Sequence, residues 1–351
     1  MVFAEETANK LSALYESYGY MRFKMSKFGE YDTYVKNKSF LTSDNVITFT
    51  DTNGKLMAMK PDVTLSIVKS SKDEPGFAKK VYYNENVYRV SGESHAFKEI
   101  MQSGLECIGD VGAYEISEVI SIALESLKKI ASEYVLDLSH LGIIAAAVDG
   151  IGISKDGRKK LLACFGSKNV CGAEEILSEE GISAKESQVI IKLMTCSGKA
   201  SVVLPELKKI STDSMKPYVE ELEGIVNVTA DENVRIDFSV INDMRYYNGI
   251  VFQGFVKEVP KCVLSGGQYD PLLKQMRRNA KAIGFAVYLD ELKEPKKSGT
   301  DVDVVLLFDE ETPVEKISDA VKKLRAEGKK VIAEKKIPEN IVYGDVVKLR
   351  K

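Results

Sequence analysis

Two polar side chains, Gln102 and Glu106, stand four residues apart in the segment KEIMQSGLECIG, residues 98–109. Residues two apart on a strand share a face, so Gln102 and Glu106 lie on one face with Gly104 between them. A glycine there leaves room for a small ligand above the sheet. On the preceding segment KVYYNENVYRV, Arg89 could donate paired hydrogen bonds to a carboxylate or phosphate. The set suits a zwitterion such as an amino acid, and the same spacing is equally typical of a solvated sheet face.

Two later segments carry tyrosines and glycines that could border the same ligand. In MRYYNGIVF, strand alternation predicts that Tyr246 and Tyr247 point to opposite faces, while Gly249 spares space. In LSGGQYD, the pair Gly266-Gly267 and Tyr269 would lie at the end of a neighbouring strand, where the backbone meets the ligand.

The string LSGGQ also matches the signature peptide of ATP-binding-cassette ATPases. Such an ATPase needs a phosphate loop of the form G-x-x-x-x-G-K-[ST]. The nearest string, GISKDGR at residues 152–158, has arginine in place of the lysine and lacks a strand-loop-helix context. The sequence therefore argues against an ATPase.

The composition and charge narrow the classes of protein to which the chain could belong. A formal net charge of -3 over 351 residues argues against a protein that coats nucleic acid. No apolar run approaches the roughly 20 residues that span a bilayer, and the start MVFAEETANK lacks the regions of a signal peptide. We therefore expect a cytoplasmic protein without a membrane partner. Two histidines and scattered cysteines predict reduced thiols, no metal site and no cofactor.

The hydrophobic pattern divides the chain into a large and a small part. Residues 1–292 predict one α+β domain in which strands are flanked by helices. A mainly helical stretch over 138–233 is predicted to be an insertion into it. The polar segment 293–301 contains proline and glycine and predicts a linker. Residues 302–351 predict a small C-terminal β-α-β unit.

The ordered motifs resemble the catalytic domain of histidyl-tRNA synthetases over about residues 4–292. The segments that carry the resemblance are LMAMKPDVT, the VYR…FKEIMQSGLECIG hairpin, MRYYNGIVFQ, LSGGQYD and AIGFAVYLDEL. The resemblance implies the class II aminoacyl-tRNA synthetase fold, an antiparallel sheet flanked by helices, usually in a dimer. LSGG is then expected to form a sheet turn beside a histidine pocket.

The resemblance also implies roles in that pocket. Asp62 stands where the family usually has glutamate, and with Thr64 and Gln102 it would hold the ammonium group of histidine. Glu106 and Tyr247 would contact the imidazole of the histidine. The other expected members of the pocket are Arg89, Tyr246 and Tyr269.

Positions that serve ATP in the resembling family are substituted. Asn242 and Ala96 stand where arginines are usual. In the third motif, Tyr288 replaces a glycine and Glu291 replaces the arginine that clamps ATP. Each lost charge-assisted contact is worth about 1.5–3 kcal/mol, so two or three losses weaken ATP binding by about a thousandfold or more. We therefore expect no adenylation.

The combination of a retained amino-acid pocket and a substituted nucleotide site resembles the pattern in the regulatory subunits of ATP phosphoribosyltransferase. That enzyme is the first of histidine biosynthesis. The segment LDLSHLGII, residues 136–144, adds to this resemblance. It implies a non-catalytic subunit that assembles with a short catalytic subunit in a hetero-octamer, activates it and mediates feedback inhibition by histidine. No phosphoribosyl-pyrophosphate loop is present in the sequence, so catalysis requires another chain. The tail after Asp301 resembles a shortened anticodon-binding domain, and we expect no tRNA partner.

Two alternatives remain from the sequence. One is an active histidyl-tRNA synthetase or another paralogue that adenylates an amino acid. The other is a synthetase-like binding protein with a different ligand or partner.

Overall fold

The computed structural model describes residues 2–35, 46–91, 95–241, 246–257, 259–292 and 300–349. The chain divides into two compact units, Met1–Leu292 and Lys293–Lys351. The helices are α1 (Val2–Ser17), α2 (Tyr31–Val35), α3 (Thr64–Ser70), α4 (Ala113–Ile130), α5 (Leu141–Asp149), α6 (Lys155–Ser167), α7 (Val170–Glu179), α8 (Ala184–Thr195), α9 (Ala200–Ile210), α10 (Lys216–Thr229), α11 (Asp270–Gln275) and α12 (Val314–Ala326). A short 3-10 turn spans Leu289–Glu291.

The strands are β1 (Met21–Arg22), β2 (Phe28–Glu30), β3 (Thr48–Thr50), β4 (Leu56–Met59), β5 (Ala78–Val90), β6 (Phe97–Gly109), β7 (Tyr134–His140), β8 (Ser197–Lys199), β9 (Val234–Asp237), β10 (Asn248–Val256), β11 (Leu264–Gln268), β12 (Lys281–Tyr288), β13 (Val302–Leu307), β14 (Val331–Glu334) and β15 (Tyr343–Lys348). None of the helices described is long and apolar enough to cross a membrane.

A nine-stranded sheet organises the larger unit, in the order β1-β5-β6-β12-β11-β10-β7-β9-β8. Its central strands pair antiparallel, while β1 with β5 and β7 with β9 pair in parallel. The prediction of an antiparallel sheet flanked by helices is confirmed. A second, three-stranded sheet has the order β2-β4-β3.

The two faces of the main sheet belong to different hydrophobic clusters. Tyr82, Leu105 and Phe285 are buried on one face with residues of α1 and α4. Tyr83 and Tyr269 are buried on the other face with residues of α3 and α11. Helix α4 buries one face in the first cluster because its apolar residues recur at helical spacing. At the start of the helix, Glu115 accepts a hydrogen bond from the Gly112 amide (2.8 Å). The polar residues of the predicted pocket lie on the second face.

Helices α5 to α10 lie between β7 and β9, in the stretch expected to be an insertion. The first residues of that stretch, 138–140, still belong to β7, which pairs with β10 in the main sheet. The helical part therefore begins at Leu141, where the His140 imidazole accepts a hydrogen bond from the Gly142 amide.

Two structural expectations are wrong. LSGG is not a sheet turn, since Leu264–Gln268 form β11 between β10 and β12. A Cβ on Gly266 would lie 2.4 Å from the Gly284 carbonyl oxygen, so the glycine permits close packing inside the sheet. The smaller unit contains one strand more than the predicted β-α-β unit, because β15 pairs in parallel with β13 on the side opposite β14.

Candidate functional site

The strand register brings the predicted polar residues together on one face of the sheet. Gln102 lies opposite Tyr288 of β12, and Glu106 lies opposite Gly284. A Cβ at position 284 would be 1.8 Å from Oε2 of Glu106, so only a glycine lets the carboxyl group occupy this place. The sequence reasoning missed Gly284, because its importance depends on which strand pairs with β6.

Glu106 is the centre of the candidate site. Its side chain is buried, with 2% of the residue exposed. Thr64 Oγ1 donates a hydrogen bond to Oε1, and the Tyr269 hydroxyl donates one to Oε2, each at 2.6 Å. Burial raises the pKa of Glu106 to about 8, although both hydrogen bonds act in the opposite direction. The group can therefore change its charge near neutral pH when a ligand supplies a hydrogen-bond donor or a cation.

Three tyrosines form the wall beside this carboxyl group. The rings of Tyr246 and Tyr247 are 4.5 Å apart, and those of Tyr246 and Tyr269 are 5.8 Å apart. Tyr246 and Tyr247 therefore do not point to opposite faces, because they precede β10 and do not follow strand alternation. Burial raises the pKa of all three hydroxyls well above the usual value, so they remain neutral hydrogen-bonding groups.

The start of α3 adds a second carboxylate to the site. Oδ1 of Asp62 accepts a hydrogen bond from the Leu65 amide (2.8 Å). Burial raises the pKa of Asp62, while the Leu65 amide and the charge of Arg89 lower it. Arg89 donates from Nε to the Pro61 carbonyl (3.1 Å), which ties β5 to this segment. Asp62 and Arg89 are therefore close enough to face one small ligand with opposite charges.

Gly104 does not leave an empty space, contrary to the sequence argument. A Cβ at this position would lie 2.6 Å from the hydroxyl oxygen of Tyr83, which is the cross-strand partner of Gly104. The ring of Tyr83 therefore fills the space above the glycine. Burial raises the pKa of Tyr83 well above its usual value, with Glu106 and Asp62 adding to the effect. Tyr83 is a member of the site that alternation along a single strand could not identify.

A buried ion pair lies beside the site and was also missed. Lys60 is 1% exposed, and its ammonium group pairs with Glu85 of β5. Glu85 lies opposite Gln102 in the hairpin register. The pair thus fixes the polar end of β5 next to the candidate pocket.

The substituted nucleotide positions have ordinary structural roles where the structure describes them. Ala96 lies on the β5–β6 connection, and its carbonyl accepts from the Ser91 amide (2.9 Å). Tyr288 is largely buried beside Ser265 at the end of β12, and burial raises its pKa. Glu291 pairs with Lys261 at 3.2 Å near the surface. Asn242 lies outside the described residues.

Fold and site together define a protein with the architecture of a class II aminoacyl-tRNA synthetase, in which polar groups collect on one face of an antiparallel sheet. The family model for histidyl-tRNA synthetase matches residues 2–292. The chain belongs to this family.

Its relatives include proteins with a different name. A protein of Oceanobacillus iheyensis named ATP phosphoribosyltransferase regulatory subunit is 26% identical over 79% of this chain and 70% of its own length. A Bacillus halodurans crystal structure described as an ATP phosphoribosyltransferase regulatory subunit/histidyl-tRNA synthetase is 25% identical, with a TM-score of 0.79 over 99% of this chain and 93% of that one. The ATP phosphoribosyl transferase (HisG:HisZ) complex of Thermotoga maritima contains a similar fold, with 19% identity and a TM-score of 0.66 over 82% of this chain and 98% of that one.

Proposed function

We propose that this chain is a non-catalytic regulatory subunit of ATP phosphoribosyltransferase that binds histidine and controls a separate short catalytic subunit. The observation that carries the proposal is a buried polar site around Glu106, together with the substitutions Tyr288 and Glu291 at positions that serve ATP in the synthetases. The names of the curated relatives at 26–27% identity support the same role. A partner chain follows from that role, because a regulatory subunit acts on another protein.

Histidine matches the charges and donors of the site. Its carboxylate would face Arg89, and its ammonium group would face Asp62 with the support of Thr64 and Gln102. Its imidazole N–H would donate to Glu106, with Tyr247 alongside. The three wall tyrosines would exclude water from the ring, which strengthens each polar contact.

We infer that the same site does not support adenylation. ATP needs cations at its phosphates, and Ala96, Glu291 and Asn242 supply none. Tyr288 occupies the sheet face next to Gln102, where the family usually has a glycine. The loss of several charge-assisted contacts supports a role in binding and regulation without chemistry of its own.

Regulation would follow from linkage between the site and the partner. Histidine shifts the complex toward low activity only if it binds that state more tightly than the active one. We propose that the chain forms a dimer and assembles with the catalytic subunit into a larger hetero-oligomer. We propose that the small unit Lys293–Lys351 does not bind tRNA.

The test is formation of phosphoribosyl-ATP by a short catalytic subunit, with and without this chain, across a histidine titration. We expect this chain to raise the rate and histidine then to lower it. In the Glu106→Gln variant, loss of one charged hydrogen bond should weaken inhibition about 10- to 100-fold while activation persists. Glu99→Gln on the same strand is the matched control, since Glu99 is exposed. Absence of activation with a cognate partner refutes the proposal, and unchanged inhibition in Glu106→Gln refutes the site.

An amino-acid-adenylating enzyme is the second candidate, favoured by the family membership and by the presence of Arg89 and Gln102 at the site. It predicts histidine-dependent exchange between ATP and pyrophosphate. We expect no exchange above that of a buffer control. Exchange that is abolished by Glu106→Gln would establish the synthetase chemistry instead.

A further inference from the structure

A second cavity opens between the main sheet and the helices α4, α5 and α10. Its volume is about 510 Å³, within the range of small-molecule sites. Val111, Ile116, Leu141 and Ala145 form an apolar part of its lining. The polar part comes from His140, Glu221, Asn248, Gln268, Asp270 and Lys281, while Tyr218 and Tyr247 contribute aromatic rings. Asp270 is already bound by Asn248 Nδ2 and by the Ala282 amide, so Glu221 is the carboxylate left to face a ligand.

Glu221 and Lys281 bring opposite charges to this cavity without forming an ion pair with each other. His140 accepts from the Gly142 amide at Nδ1 (3.0 Å), so its proton lies on Nε2, which contacts Oε2 of Glu221 at 3.2 Å. The hydrogen bond with His140 lowers the pKa of Glu221 and keeps the group anionic. Lys281 acts on Glu221 through its charge, but it has no ion-pair partner within the described ranges. A ligand that carries both charges could bridge the two groups.

A buried amide supplies a directed donor between these charges. Gln268 is 7% exposed, and its Oε1 accepts from the Ile250 amide (2.6 Å). Its Nε2 is left to donate toward the cavity, with no acceptor among the residues that the structure describes. The arrangement depends on an irregularity in β10 between Asn248 and Val251, and on Gly249, whose φ of +63° and missing Cβ admit the amide. Such irregularities often aim side chains into binding sites.

We propose that this cavity binds a free α-amino acid with an apolar or aromatic side chain. The ligand ammonium group would pair with Glu221. Its carboxylate would bind Lys281 and the Nε2 group of Gln268, and its side chain would lie against the apolar lining. A simple anion would bring a second negative charge to Glu221, and a simple amine would leave Lys281 without a counter-charge, so a zwitterion is the ligand class that offers a partner to both.

This site is distinct from the pocket at Glu106, although Tyr247 is common to both. Tyr247 packs against Tyr246 in the first site and lines the second cavity. The inference rests on the cavity itself and does not require the proposed regulatory function. Binding here can therefore be measured in a protein whose first site has been altered.

The experiment uses the full chain with Glu106→Gln, titrated with each of the twenty L-amino acids by calorimetry and thermal shift. At least one should bind, and its Kd should rise about tenfold or more when Lys281→Met or Glu221→Gln is added. Lys274→Met and Glu220→Gln are the matched controls, since both residues are exposed and neither lines the cavity. They should leave that Kd unchanged.

Two results overturn the inference. One is that no amino acid binds the Glu106→Gln protein. The other is that one binds but with a Kd that either cavity substitution leaves unchanged. Neither result bears on the activation of a catalytic subunit, so failure here is distinguishable from failure of the proposed function.

Discussion

The substitution Glu106→Gln is expected to stabilise the protein at alkaline pH. Glu106 is buried, and its pKa rises from 4.5 to about 8 on folding. Because the folded-state pKa lies above the unfolded value, the stability from the protonated group is fully present below about pH 4.5 and is lost as the pH rises through about 8. At about 1.4 kcal/mol for each pH unit, the loss approaches about 5 kcal/mol by pH 8, as an order of magnitude. Glutamine does not titrate, and it can keep hydrogen bonds with Thr64 and Tyr269.

The assay is urea unfolding, followed by circular dichroism, at intervals from pH 5 to pH 8. The difference in unfolding free energy between the variant and the parent should grow steadily in favour of the variant. Glu99→Gln provides a control of opposite sign, because hydrogen bonds from Asn86 and Tyr88 lower the pKa of Glu99. The contribution of Glu99 is present above its unfolded pKa and is lost only as the pH falls. A Glu106→Gln difference that stays constant across the range would refute the reasoning.

Two further substitutions test the surroundings of this carboxyl group. Gly284→Ala should cost about 1–3 kcal/mol in urea unfolding, because its Cβ would overlap Glu106 Oε2 at 1.8 Å. Gly224→Ala in α10 meets nothing within 4 Å and should be neutral or stabilising. Equal effects at the two glycines would contradict the close approach. Lys60→Met should cost about 3–5 kcal/mol because it leaves Glu85 without its cation, and Lys60→Met with Glu85→Leu should recover much of that loss. No recovery in the double variant would mean that the pair is not the cause.

Alternation along a single strand was enough to place Gln102 and Glu106 on one face, because each strand residue has only two directions to point. It could not predict what fills the space above Gly104. That depends on the register with β5, which sets Tyr83 opposite the glycine, and on the pairing of Gly284 with Glu106. Cross-strand register is a property of two segments, so a reading of one segment cannot supply it.

The alternation rule also failed where no strand exists. Tyr246 and Tyr247 come before β10, and their rings lie side by side. The segment LSGG was expected to form a sheet turn but belongs to β11, which contains the pair Gly266-Gly267. Glycine is permissive in both settings, and here its lack of a side chain matters through packing against β12.

Two buried acids, Glu106 of β6 and Asp270 at the start of α11, differ in a way that supports a ligand at Glu106. Asp270 receives hydrogen bonds from the Ala282 amide at one oxygen and from Asn248 Nδ2 at the other, so fixed donors satisfy it permanently. Glu106 is bound by two hydroxyl groups, which can either donate or accept as its protonation changes. Burial makes the charged form of such a carboxyl group unfavourable, which raises its pKa. Glutamine could make the same hydrogen bonds within the fold without this cost. The presence of Glu106 at the centre of the site supports the proposal that a ligand from outside the chain binds there and favours the anion, as an imidazole N–H would.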